Sequence, residues 1–153
     1  MPNELSYQRK FIQVIKDHGG YAKKWSSTFA VGVPDLIVVF EGLTCFVEMK
    51  LEKGWNKNTK RTIDVTPIQE SELKGIVYRG GGIAVVALVV EKGYNDSAIA
   101  LLAIQKPNDS GVFQVERDEV LQHSVDWKDF KKDPRTVMKS IAHCYLKDTI
   151  VKT

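Results

Sequence analysis

Little in this chain of 153 residues invites sulfur or imidazole chemistry. The two cysteines, Cys45 and Cys144, have no CxxC spacing, and Cys45 lies inside an apolar stretch. Both read as reduced core residues, which excludes a disulfide framework and a thiolate zinc site. His18, His123 and His143 show no ligand spacing with one another or with the cysteines, so no chemistry is assigned to them. Long apolar runs are missing too: the longest, IAVVALVV at 83–90, is far short of the roughly 20 residues of a membrane span, and MPNELSYQRKF lacks the apolar core of a signal peptide. The expectation is a soluble, cytoplasmic protein with no membrane partner. Charge of one sign is scarce as well, since the formal net charge is +3. A pI near 8.8 leaves room only for a local basic patch, which is what a polyanion would meet. There is no repeat or low-complexity tract, and the glycines at 80–82 are not followed by GK[ST], so they end a helix and do not cradle a phosphate.

What is present is a core. At 43% hydrophobic the chain suffices for one domain and is too short for two well-packed ones. The spacing predicts a helix from Glu4 to His18, with Leu5, Ile12 and Ile15 on one stripe and Gly19-Gly20 as its stop. YAKKW, 21–25, reads as a short strand. Asp35 to Phe40 and Cys45 to Leu51 are strands rich in Val, Ile and Phe, joined by a tight turn around Glu41-Gly42. Thr66 as N-cap and Pro67 at the first helical position open a helix that closes on glycines, and IAVVALVV follows as a fully buried strand. Beyond it the signals predict a hairpin, Ala98 to Ile104 with Val112 to Val115, and a last helix from Asp133-Pro134 to Leu146. The order α, β, β, β, α, β implies an α/β sandwich around a mixed central sheet. The expected organisation is a single domain over 1–153, with a core at about 4–92 and a C-terminal hairpin-and-helix elaboration at about 93–153.

The two central strands, GVPDLIVVFEGLTCFVEMK at 32–50, should vanish into that core, yet they carry Asp35, Glu48 and Lys50. A hairpin centred between Gly42 and Leu43 sets Ile37 opposite Glu48 and Asp35 opposite Lys50, all on one face. Asp35 then lies diagonal to Glu48 at about 7–8 Å between backbones, where both carboxylates can grip one ion. Two carboxylates and a backbone carbonyl, that of Met49, make a hard oxygen site suited to magnesium or manganese. Such a metal activates water against a phosphodiester, and Lys50 beside it would orient or deprotonate that water or neutralise charge on the phosphorane. The (D/E)xK tripeptide alone is uninformative, because Glu72-Leu73-Lys74, Asp126-Trp127-Lys128 and Asp129-Phe130-Lys131 match it equally. Only Glu48-Met49-Lys50 ends an apolar strand paired with one that begins Pro34-Asp35. The alternative is that Asp35 caps a turn while Glu48 and Lys50 form a solvated pair.

GVPDL, an apolar strand, a turn and FVEMK together resemble the PD-(D/E)xK nuclease superfamily, and within it the small virus-type replication-repair (VRR-NUC) nucleases. The similarity extends to Glu4 and Gln8 in the first helix and to the TPxQ start Thr66-Pro67-Ile68-Gln69, and covers residues 4 to about 90. It implies a restriction-endonuclease-like αβββαβ core and a metal-dependent DNA endonuclease leaving 5'-phosphate and 3'-hydroxyl ends. It also implies Asp35, Glu48 and Lys50 as the catalytic set, Glu4 as an accessory acid and metal ligand, and Gln69 as a site-facing helper. Each helper has a plainer account: Glu4 suits the helix dipole, and Thr66-x-x-Gln69 is a capping box.

The basic stretch KLEKGWNKNTKR, 50–61, leaves the catalytic strand with Lys53, Lys57, Lys60 and Arg61 around Trp55. It is placed to straddle a DNA backbone, with Trp55 stacking on an unpaired base or wedging at a branch, or else is a solvated face. Lys23-Lys24-Trp25 would likewise bind phosphate and stack on a base, or form a strand end with a core Trp. Two functions follow. One is an endonuclease on branched, junction or flap DNA in replication, recombination or repair, for which symmetric junction cutting would require a homodimer. The other is a non-catalytic nucleic-acid or protein-binding module that keeps the fold.

Overall fold

The structure, a computed structural model, describes residues 3–25, 32–53, 60–62, 65–93, 95–104 and 114–138, the side chains of 60–62 and 114–119 excepted. Helix α1, Glu4–Asp17, starts where the Asn3 side chain accepts the Ser6 N–H at 2.9 Å, and it stops at Gly19 with φ +84°. Its buried stripe is Tyr7, Gln8, Phe11, Val14 and Ile15, whereas Leu5 is exposed. Of the expected stripe, Ile15 is buried and Ile12 packs partly against the core, whereas the rings of Tyr7 and Phe11 take the inward place in the first turns expected of Leu5.

Strands β1 (Tyr21–Lys24), β2 (Leu36–Phe40) and β3 (Leu43–Lys53) form an antiparallel meander. Between β2 and β3, Glu41 and Gly42 have φ +48° and +83°, a two-residue turn of the primed kind that matches strand twist. It closes on the Phe40–Leu43 pair, so facing residues sum to 83 and not to the expected 85. A shift of two residues preserves which face every side chain takes. The ladder begins at Leu36 with Val47, which brings Asp35 opposite Glu48 instead of diagonal to it.

After β3 the chain forms β4 (Lys60–Thr62) and then α2 (Pro67–Tyr78), where Thr66 and Gln69 make both arms of a capping box. Strand β5, Ala84–Gly93, lies parallel to β3, and β6, Asp96–Ala103, folds back antiparallel on β5. The segment Ala84–Val90 is buried on both faces, which is why it reads as an unbroken apolar run. The remaining elements are β7 (Gln114–Glu116), α3 (Arg117–Gln122), β8 (Val125–Asp126) and α4 (Trp127–Lys132), followed by helix over 134–138. The expected hairpin between residues 98–104 and 112–115 is replaced: β6 pairs with β5 and β8, while β7 pairs with β4. The apolar edge of β5 takes β6 first, since the turn at Asn95 joins them locally. The last helix does begin at Pro134; its expected end, with His143 and Cys144, lies outside the described residues.

The main sheet has the order β1-β2-β3-β5-β6-β8 and is mixed. One face packs α1 and α4 through Phe11, Phe130, Tyr7 and Trp127 over Leu36, Val38, Val47, Val85 and Val89. Cys45 is buried in the same layer, where burial pushes its thiol up to about 12. The other face packs α2 and α3 through Leu73, Val77 and Val120 over Val86 and Leu88. Among the described residues no helix is long and apolar enough to cross a membrane.

Candidate active site

Strand parity decides which face carries the charges. Odd residues of β3 (Cys45, Val47, Met49) enter the α1-side core, so Phe46, Glu48 and Lys50 point to the α2 side. Glu48 is 1% exposed, and its Oε1 has no hydrogen-bond partner among the described residues. Its Oε2 lies 3.3 Å from the Lys50 ammonium. Burial, then the neighbouring Asp35 charge, pushes the Glu48 carboxyl up to about 8, and the Lys50 ammonium opposes that rise.

Asp35 sits just before β2 and accepts the Met49 N–H at 2.9 Å. The Phe46 N–H donates to Ile83 on the β5 side, so the backbone groups of even residues face β5. Met49 therefore turns both its N–H and its carbonyl toward Asp35, where β2 has not yet begun. Asp35 and Glu48 thus stand side by side at this end of β3, with one buried Glu48 oxygen unpartnered among the described residues. Two neighbouring carboxylates, one of them buried with an unpartnered oxygen, are a donor set that fits a hard divalent ion. Among the described residues no group of three or more His, Cys, Asp or Glu side chains assembles.

Helix α2 supplies the next contact. The Lys50 ammonium donates to Gln69 Oε1 at 3.3 Å, and the same oxygen accepts the Thr66 N–H at 3.0 Å. Both accounts of Gln69 hold at once: it caps the helix and holds the lysine. Gly32, at φ +83°, lies against Ile68 of the same first turn, and a Cβ there would collide with the Ile68 side chain.

The other expected residues are more dispersed. Glu4 is exposed in the first turn of α1, whose buried side packs on the face opposite Glu48; Gln8 is buried there with Oε1 unpartnered among the described residues. Lys23 and Trp25 are exposed on the Glu48 side of β1, and Lys24 takes the other side. Lys53, an odd residue, lines a cavity of about 1000 Å³ on the α1 side, with Tyr7, Lys10 and Trp127. Trp55 and Lys57 fall outside the described residues. Lys60 and Arg61 belong to β4, paired with β7, so that end of the basic stretch is a ladder and not an open loop. The contact of Trp25 with Phe46, ring centroids 6.0 Å apart, was not anticipated; the period-2 alternation of YAKKW contained the signal.

The mixed six-stranded sheet with helices on both faces is the α/β, restriction-endonuclease-like fold. Among solved structures it is similar to Hjc, a Holliday junction resolvase from the archaeal hyperthermophile Archaeoglobus fulgidus. The TM-score is 0.53 at 12% identity, over 84% of this chain and 95% of that one. At this identity the likeness concerns the fold. No protein-family model and no curated protein matches the chain.

Proposed function

We propose that the chain is a divalent-metal-dependent DNA endonuclease of the PD-(D/E)xK type, of VRR-NUC pattern, selective for branched, junction or flap DNA. It would act as a single nuclease domain, with the core at about 4–92. The observation that carries this reading is the meeting of Asp35, the buried Glu48 and Lys50 at one sheet end, with a Glu48 oxygen left without a partner. A fold shared with a junction resolvase supports the substrate class.

Asp35, Glu48 and the Met49 carbonyl would hold magnesium or manganese, with Glu4 as an accessory acid. The bound ion supplies a polarised water and neutralises charge on the phosphate. Lys50 spends two of its three N–H donors on Glu48 and Gln69, which aims the third outward at the attacking water or at a phosphorane oxygen. An ammonium already donating to two oxygens is better suited to stabilising developing negative charge than to accepting a proton. Gln69 positions that ammonium from the start of α2. Water adds to phosphorus and gives up a proton to solvent as the bond to the 3'-oxygen breaks, and that oxygen takes a proton from solvent to leave as a hydroxyl, giving 5'-phosphate and 3'-hydroxyl ends.

The test is incubation with supercoiled plasmid and synthetic junctions in magnesium, manganese or chelator. Cleavage with either metal, absent in chelator and in a repurified Asp35→Ala, Glu48→Ala double variant, is the expected result. Magnesium-dependent nicking that survives in the double variant overturns the assignment.

A further inference from the structure

The edge strand β1 alternates in an informative way. Ala22 points into the α1-side core, so Tyr21, Lys23 and Trp25 stand together on the face that carries Glu48. They are an aromatic, a base and an aromatic at intervals of about 6.6 Å along the strand. The two rings are 54% and 51% exposed, large apolar surfaces to leave in water unless something covers them. Their neighbours on that face, Ile37 and Val39 of β2 and Phe46 of β3, are only half-buried, so the strip is backed by an apolar floor.

The strip runs into the candidate site. The Trp25 N–H donates to the Asp35 carbonyl at 2.7 Å, which extends the β1–β2 pairing by one step and sets Trp25 beside Asp35. Its ring meets Phe46, two residues or about 7 Å along β3 from Glu48. From these placements we infer that Tyr21, Lys23 and Trp25 form a stacking platform for an unpaired DNA strand that leads into the site, an inference that rests on the nuclease reading above. Alternating rings and a lysine suit such a strand, whose bases offer free π-faces and whose phosphates need a cation. Paired duplex bases have both faces covered by their neighbours, so they gain nothing from these rings. The platform thus selects DNA whose strand is already open next to the cut, the property shared by flaps, splayed arms and branch points.

The experiment measures binding of duplex and of a splayed-arm DNA with 2-aminopurine in its unpaired arm, in calcium to keep the DNA uncut. Trp25→Ala and Tyr21→Ala, single and combined, are compared with Trp25→Phe, and size-exclusion chromatography with light scattering is run at the same concentration. Expected are quenching of 2-aminopurine by the wild type, a loss of roughly ten-fold or more in splayed-arm affinity for the double alanine variant, little change on duplex, and substantial retention in Trp25→Phe. Equal affinity of wild type and double variant for the splayed arm overturns the inference, as does an equal loss on duplex. Loss of a dimer on Trp25→Ala overturns it in favour of a second copy of the chain on this edge. Quenching that depends on Trp25 in a protein that cuts nothing in magnesium would leave the platform standing and refute the nuclease reading alone.

Discussion

Replacing Glu48 by Gln should stabilise the metal-free protein, and more so as pH rises. The buried carboxyl of Glu48 holds its proton up to about pH 8, against an ordinary value of 4.5, chiefly because burial disfavours its charge. The native state is therefore the one that binds the extra proton between those limits, and its stability falls as pH climbs through them. The interval spans roughly 3.5 pH units at about 1.4 kcal/mol each, so the ceiling on the loss is near ~5 kcal/mol by the time the site is ionised. An amide of the same shape carries no such loss. For a chain of this size each kcal/mol moves the melting temperature by about 2–4 °C. In chelator, the wild type and Glu48→Gln should thus melt at similar temperatures near pH 5 and diverge, with Gln the higher, by several degrees and at most about 10–20 °C at pH 8.5. Added magnesium should raise the wild type at pH 8.5 and leave the variant unmoved, because a cation relieves the repulsion that the proton had relieved. A melting difference that stays flat from pH 5 to 9 would refute the placement of Glu48 as a carboxyl whose charge burial disfavours.

Lys50→Met should lower the cleavage rate by orders of magnitude while magnesium still shifts the melting temperature; a loss of metal response equal to that of Glu48→Ala would make Lys50 a support of the ion site and not of the reaction. Replacing Lys53, Lys57 and Lys60 by Ala should flatten the salt dependence of DNA binding by about 0.9 for each phosphate contact removed. A drop near two in that slope would leave out Lys53, which points to the α1 side, and no drop would make the basic stretch a solvated face. Gly32→Ala should cost about 1–2 kcal/mol in urea unfolding for its left-handed backbone and should slow cleavage by pushing the segment that leads to Asp35 away from Ile68; unchanged stability and rate would show that the turn yields freely.

The parts legible from residues alone were those with local causes. Period-2 alternation put Glu48 and Lys50 on one face, and Thr66, Pro67 and Gln69 announced the start of α2 through capping chemistry. The facing register was off by two because the turn depends on Glu41 adopting a left-handed backbone, which a non-glycine side chain does not advertise. The partner of β7 was missed for another reason. A three-residue strand has too little pattern of its own, and its pairing with β4 is set by where the chain between them travels. The two accounts of Gln69 were not alternatives, since one oxygen accepts from the backbone and from Lys50 together. That convergence is a fact of three dimensions.

The shared oxygen of Gln69 gives the chain a mechanical economy. Because β3 and β5 run parallel, the connection between them must cross the sheet, and the crossing helix begins near the end of β3 that carries Lys50. The knot that keeps the helix from unwinding is also the clasp on the lysine. Opening that first turn therefore also withdraws the Gln69 oxygen from the ammonium, so a frayed crossing leaves Lys50 held by Glu48 without its second partner. On the nuclease reading, folding of the crossing and placement of Lys50 would then be completed in a single step.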